Sequence, residues 1–274
     1  MILFTHIPKT GGLSLSRDFW TALENRALVV NNVRELASFA ADAPKAMIAG
    51  LEYVAGHVRL DDIEQHLRID PADCFCFSVV RDPIERAFSL YLFIQRNPHL
   101  DAAFSKRIAG KAFDEFVRLA ARITPLLSNP QCLALCGQAD ADSAIEAMSA
   151  RYNLVAEIGR FADAHSMVRE ASGNVVPTWS PLRMRNVAPT AVQAEDIVKG
   201  WKPARIADLI SAESRRTIAE CSYEDFRLLE FINGRHGVLF LSAKPHGFVL
   251  GGNATALDQS SLDVKRQEIP DDVG

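Results

Sequence analysis

Residues 1–16, MILFTHIPKTGGLSLS, run from an apolar stretch into Pro8-Lys9-Thr10-Gly11-Gly12 and then resume apolar residues at helical spacing. Ile2, Leu3, Phe4 and Ile7 read as a strand over 2–7, and Leu15, Phe19 and Leu23 recur at i, i+4 and i+8 on a helix over about 11–24. Two glycines at the turn let the backbone approach a ligand with no Cβ in the way. The first amides of the helix are unpaired and its N-terminus is partially positive, so a phosphate or sulfate is its natural occupant. Lys9 adds a full charge, and Thr10, Ser14 and Ser16 add hydroxyls. In a Walker A loop the lysine follows the glycines and reaches the β- and γ-phosphates. Here Lys9 precedes them, which points to a nucleotide of another anionic layout before ATP or GTP.

A second segment, CFCFSVVRDPIERAFSLY at 74–91, repeats the strand-turn-helix plan. Cys74 to Val80 is almost continuously apolar, as a central parallel strand covered on both faces requires. Arg81 stands at its carboxyl end, Asp82 is a good N-cap and Pro83 a good first helical residue, for a helix over 83–95. Ligands of open α/β sheets bind at the carboxyl ends of strands, where Lys9 and Arg81 both fall. The loop offers one anion site, and Arg81 with Ser89, about two turns into the helix, a second. The competing expectation makes Arg81 an ion-pair partner of Asp82 or Glu85 and Ser89 a surface hydroxyl.

Taken together, these segments resemble the sulfotransferases that use 3′-phosphoadenosine 5′-phosphosulfate, in particular the carbohydrate branch that includes the heparan sulfate 2-O-sulfotransferases. The resemblance implies that Lys9, Thr10, Gly11, Gly12, Leu13 and Ser14 bind the 5′-phosphosulfate, and that Arg81 and Ser89 bind the 3′-phosphate. Between them, Tyr53-Val-Ala-Gly-His-Val-Arg-Leu-Asp-Asp62 is similar to the branch's G-H-V segment, which implies that His57 is the catalytic base. An imidazole titrates near neutrality and so can take a hydroxyl proton. Weaker similarity continues through Asn129-Pro-Gln131, Tyr152–Phe161 and Cys221–Phe231. Leu13 departs from the pattern, standing where a threonine or serine is usual.

The fold class expected is α/β, with a central, mainly parallel sheet flanked by helices; the resemblance implies a three-layer form like that of the P-loop NTPases. At 274 residues and 48% apolar content the chain can bury a sizeable core. Residues 1–250 read as one sulfotransferase domain and 251–274 as a polar, mobile tail. Further strands are expected at Ala27–Val30, Ala46–Ala49 and Asn153–Ile158, and helices near 33–42, across 100–151, at 160–171 and from Ser211 to Ile232. Residues 174–203, with four prolines and with Arg183, Arg185 and Asn186, read as an irregular excursion.

A net charge of −4 argues against a broad nucleic-acid-binding surface while leaving room for a local basic cleft. Five cysteines show no disulfide or zinc spacing, and the sulfuryl transfer that the resemblance implies requires no metal. The chain opens directly on its first strand, and no apolar run reaches the ~18 residues of a membrane span. These features, with the resemblance, imply a soluble, cytoplasmic, bacterial enzyme. The partners expected are the sulfate donor and a hydroxyl acceptor, a glycan or glycolipid. Two alternatives stay open: a kinase of the P-loop type, which would need Mg²⁺, and a nucleotide-binding protein without catalysis.

Overall fold

A computed structural model describes residues 1–97, 103–123, 126–178, 210–236 and 239–241. The amino-terminal half alternates strand and helix: β1 (Ile2–Thr5), α1 (Gly12–Leu23), β2 (Ala27–Val30), α2 (Val33–Asp42), α3 (Lys45–Ala49), β3 (Tyr53–Gly56), α4 (Leu60–Leu67), β4 (Phe75–Val80) and α5 (Pro83–Arg96). A helical stretch follows, with α6 (Ala103–Ile108), α7 (Phe113–Ala120), α8 (Pro130–Cys136) and α9 (Ala141–Arg151). The chain then adds β5 (Leu154–Glu157), α10 (Phe161–Ala171), α11 (Ala212–Cys221), α12 (Tyr223–His236) and β6 (Leu239–Leu241).

Six described strands make one sheet in the order β2-β3-β1-β4-β5-β6; the first five are parallel and β6 runs antiparallel along the edge of β5. Side chains alternate across a strand, so each strand feeds two cores. Ile2, Phe4, Tyr53 and Phe77 pack with Leu15 and Phe19 of α1 and with Phe161 and Val168 of α10. Leu3, Val54, Cys76 and Val155 pack on the other face with Leu36 of α2, Ile63 of α4, Met148 of α9 and Ile232 of α12. The result is the expected three-layer α/β arrangement. A third cluster joins α5 to α7 and α11 through Phe88, Phe113, Phe116 and Ile218.

Four helices begin at a residue whose side chain accepts from their first amides. Asn32 accepts from Arg34 and Glu35, Asp82 from Ile84 and Glu85, Asp140 from Ser143, and Ser211 from Ser214. The start of α1 at Gly11 has no side-chain cap.

One strand lies elsewhere than the sequence suggests. Ala46–Ala49 belongs to the one-turn helix α3, entered through Pro44 and left at Gly50, and the strand is the wholly buried Tyr53–Gly56. Periodicity cannot separate helix from strand over so short an apolar run. Tyr53–Gly56 extends because β1 and β2 both offer it a parallel ladder. The helical region after residue 100 is divided into four pieces, and Phe113, Phe116, Val117 and Ala120 of α7 form the buried stripe expected of them. Most of the excursion at 174–203, Arg183, Arg185 and Asn186 included, and the tail at 251–274 lie outside the described residues, as do the side chains of Leu13 and Ser14. No helix among the described residues is long and apolar enough to cross a membrane.

Candidate functional site

β1 and β3 end level with one another, and β4 runs two residues further, to Val80. Thr5 lies alongside Gly56 of β3 on one side and Ser78 of β4 on the other, and the backbone carries this alignment one step further, with His6 N–H donating to the Gly56 carbonyl at 2.9 Å. The connection from β3 to β4 passes across β1, so the strand order reverses here. That reversal is where open α/β sheets form their ligand crevice. Out of these three ends come the loop of Lys9, the segment of His57 and the turn of Arg81.

Within the first loop, the buried Thr10 hydroxyl donates to the Ile7 carbonyl at 2.8 Å and closes the turn. The hydroxyl proton is spent on the turn, which leaves Thr10 its backbone N–H to offer a ligand in place of the hydroxyl that the sequence suggested. Ser16 is corrected likewise: its hydroxyl is buried and paired with the Tyr53 hydroxyl at 3.1 Å, in the core beneath the helix. Lys9 and Gly11 both have positive φ, 74° and 88°. For glycine this conformation is free; for lysine it is strained. A Cβ on Gly12 would lie 2.3 Å from His6 Cδ2 and 2.7 Å from Phe4 Cε1, so only glycine fits where the helix starts. With no cap at Gly11 and no acidic residue in the first turn, the N-terminus of α1 carries no negative partner of its own.

Lys9 reaches back over the α5 helix, its Nζ 4.1 Å from the centre of the Phe93 ring. Burial, then the charges of Arg81 and Arg96, bring its pKa down to about 8. Arg81 is tied down at several points. Its Nη1 donates to the Lys9 carbonyl at 3.4 Å, its Nε pairs with Glu85 at 3.2 Å, and its main-chain N–H donates to Gln131 Oε1 at 2.8 Å. The Glu85 ion pair expected as the alternative is present, and it coexists with the contact to the Lys9 loop. Ser89 is half-buried one turn beyond Glu85 and one turn before Phe93, on the same row of α5.

His57 is exposed just beyond β3, its ring centre 4.8 Å from that of His6 at a tilt of 51°. Loss of part of its hydration to the groups around it holds its pKa below the usual 6.5, against a hydrogen bond to the Asn31 backbone and the pull of the Glu35 carboxylate. His6, nearly fully buried and stacked on Phe4, is brought down to about 3 by burial and then by the charges of His57 and Lys9. At neutral pH both imidazoles are uncharged, and each retains an acceptor nitrogen.

The structure thus brings Lys9, the amides that follow it, His57 and Arg81 to one end of the sheet. It also brings His6, Phe93, Arg96 and Gln131, which the sequence did not single out as site residues. A signal existed for two of them: Phe93 and Arg96 continue the Glu85, Ser89 row at helical spacing. For Gln131, which meets Arg81 across fifty positions, the weak similarity through Asn129-Pro-Gln131 marked the segment but gave the side chain no role. Among the described residues no three His, Cys, Asp or Glu side chains gather as a metal would need. Comparison with models of known protein families and with curated proteins gives no match to this chain.

Proposed function

We propose that this chain is a cytoplasmic sulfotransferase that transfers the sulfuryl group of 3′-phosphoadenosine 5′-phosphosulfate to a hydroxyl, with a carbohydrate the favoured acceptor. The observation that carries this is convergence: an uncapped helix N-terminus, two cations joined through the Arg81 contact to the Lys9 carbonyl, and a neutral histidine, all at the carboxyl ends of three adjacent strands. An anion with two separated charged ends suits this arrangement, because the α1 amides and the Arg81 guanidinium are separate donors. When bound, the donor supplies an activated sulfuryl group on a phosphate leaving group.

The remaining chemistry belongs to the protein. Negative charge develops around the transferred group and on the leaving phosphate, so positioning and preorganised donors supply most of the rate. Lys9 and the amides from Thr10 to Ser14 neutralise that charge, with Gly11, Gly12 and Leu13 contributing backbone alone. Arg81, with Ser89 further along α5, holds the 3′-phosphate. His57, already unprotonated at neutral pH, accepts the proton of the acceptor hydroxyl at a ring nitrogen.

Calorimetric titration with 3′,5′-adenosine bisphosphate, 5′-AMP and ATP tests this. The bisphosphate should bind ~10- to 100-fold more tightly than 5′-AMP, the worth of a hydrogen bond to a charged group, and Arg81→Ala should erase the difference. ATP binding as well as or better than the bisphosphate would move the chain to the kinase alternative. His57→Ala should abolish transfer of labelled sulfate to any acceptor found, with bisphosphate affinity changed by no more than a few fold; a variant that still turns over near the normal rate overturns the assignment of the base.

A further inference from the structure

Where β4 ends, the ladder of sheet hydrogen bonds would stop at Arg81, yet both polar groups of its main chain are satisfied by one side chain. Gln131 Oε1 accepts the Arg81 N–H at 2.8 Å, and Gln131 Nε2 donates to the Arg81 carbonyl at 2.8 Å. An amide side chain both donates and accepts, so it can stand in for a neighbouring strand. Gln131 is fully buried, and its own position is fixed in turn. Its backbone N–H and that of Cys132 donate to the Asp225 carboxylate at 3.1 and 2.9 Å, while Asn129 Oδ1 accepts the N–H groups of Glu224 and Asp225 at 2.9 and 3.2 Å. The first turns of α8 and α12 thereby cap each other. Asp225 is fully buried, and Arg86 of α5 is the cation that faces it electrostatically.

We propose that Gln131, braced by Asp225, is a positioning residue for the anion site: it holds the Arg81 main chain so that the guanidinium is presented to the Lys9 loop. This rests on the anion-binding role proposed for Arg81. Small errors in the placement of a binding group cost large factors in function, and a group at a strand end is the one the sheet itself does not restrain. A buried hydrogen-bond network of this kind would equally serve to dock α8 onto β4, and the experiment must separate the two roles.

The measurement is the ratio of affinities for 3′,5′-adenosine bisphosphate and 5′-AMP, with thermal stability recorded alongside, in wild type, Arg81→Ala, Gln131→Met and Asn129→Gly. Gln131→Met keeps length and burial while removing both bonds to Arg81; Asn129→Gly removes the cap on α12 and leaves Arg81 untouched. The preference for the bisphosphate should fall about tenfold in Gln131→Met, the loss of roughly one charge-assisted contact, and stay at the wild-type value in Asn129→Gly even where the two are equally destabilised. Loss of preference in Arg81→Ala but not in Gln131→Met overturns the positioning role alone. Preference retained in Arg81→Ala overturns the anion-binding role and this one with it. Should Gln131→Met fail to fold, hydrogen exchange on the wild type decides: the Arg81 amide is protected in the ligand-free protein if Gln131 holds it in advance, and exchange as fast as in an open loop overturns the proposal.

Discussion

The two strand-to-helix turns that carry Lys9 and Arg81 are built on opposite principles. At β4–α5, Asp82 accepts from the N–H groups of Ile84 and Glu85, Pro83 occupies the first helical position, and the main chain of Arg81 is held by Gln131. Every local choice there favours the turn that forms. At β1–α1 no side chain caps the helix, Lys9 is held at positive φ, and the desolvated ammonium has its pKa depressed. The first turn is made to fold and carries its cation on a settled frame. The second has no side-chain cap among the described residues and stores strain at the lysine, as ligand-binding turns commonly do. The anion site proposed at the Lys9 loop rests on stabilising interactions left unmade.

The largest effect should come from breaking the tightest point of the unsettled turn. Gly12→Ala drives a methyl group into the His6 ring and Phe4, which are confined by the stack of Phe4 on Phe77 at 4.4 Å. A loss of about 3 kcal/mol in chemical denaturation is expected, at the upper end for overpacking. A loss below about 0.5 kcal/mol, within the range of ordinary surface changes, would mean that the close approach at Gly12 is not constraining.

How much of this contrast was legible in the sequence follows the range of the interactions. Asp82-Pro83 announces its helix because capping is local, and Cys74–Val80 announces a central strand because burial on both faces leaves a continuous apolar run. The Pro8–Gly12 string announces a turn and a cation for the same reason. What could not be read is long-range: the Gln131 clamp, the burial of Ser16 against Tyr53, the seating of Lys9 on Phe93, and the placement of His6 behind His57. The exchange of Ala46–Ala49 for Tyr53–Gly56 belongs with these, since strand pairing and not composition chose between two short apolar runs.

Lys9→Gly should separate binding from folding. Glycine accepts φ of 74° without strain, which is worth about 1 kcal/mol and offsets the lost contact with Phe93. The melting temperature should therefore not fall, while affinity for the bisphosphate drops ~10- to 100-fold with the loss of a charged donor. A variant that is both destabilised and unchanged in affinity would make Lys9 a packing residue.

Titration gives a smaller version of the same effect. Because burial brings Lys9 to about 8, the ammonium is mostly present at pH 7 and mostly absent at pH 9. Its attraction for an anion is thus full below 8 and lost as pH rises through 8. A phosphate has already lost its second proton, near pH 6. Affinity should fall about tenfold between pH 7 and 9, with protons taken up on binding near pH 8. In Lys9→Gly the affinity should be flat over the same interval; persistence of the slope would assign it to another group.

The smallest effect should come from the settled turn. Asp82→Ala removes the acceptor for two amides at the start of α5 and should cost about 1 kcal/mol of stability, as N-caps generally do. Gln131 and Glu85 still hold Arg81 at its main chain and at Nε, so the ratio of bisphosphate to 5′-AMP affinity should not move. A fall in that ratio would mean that Arg81 depends on the helix start as well as on its clamp. The two turns would then differ in how their cations are exposed and not in how firmly they are held.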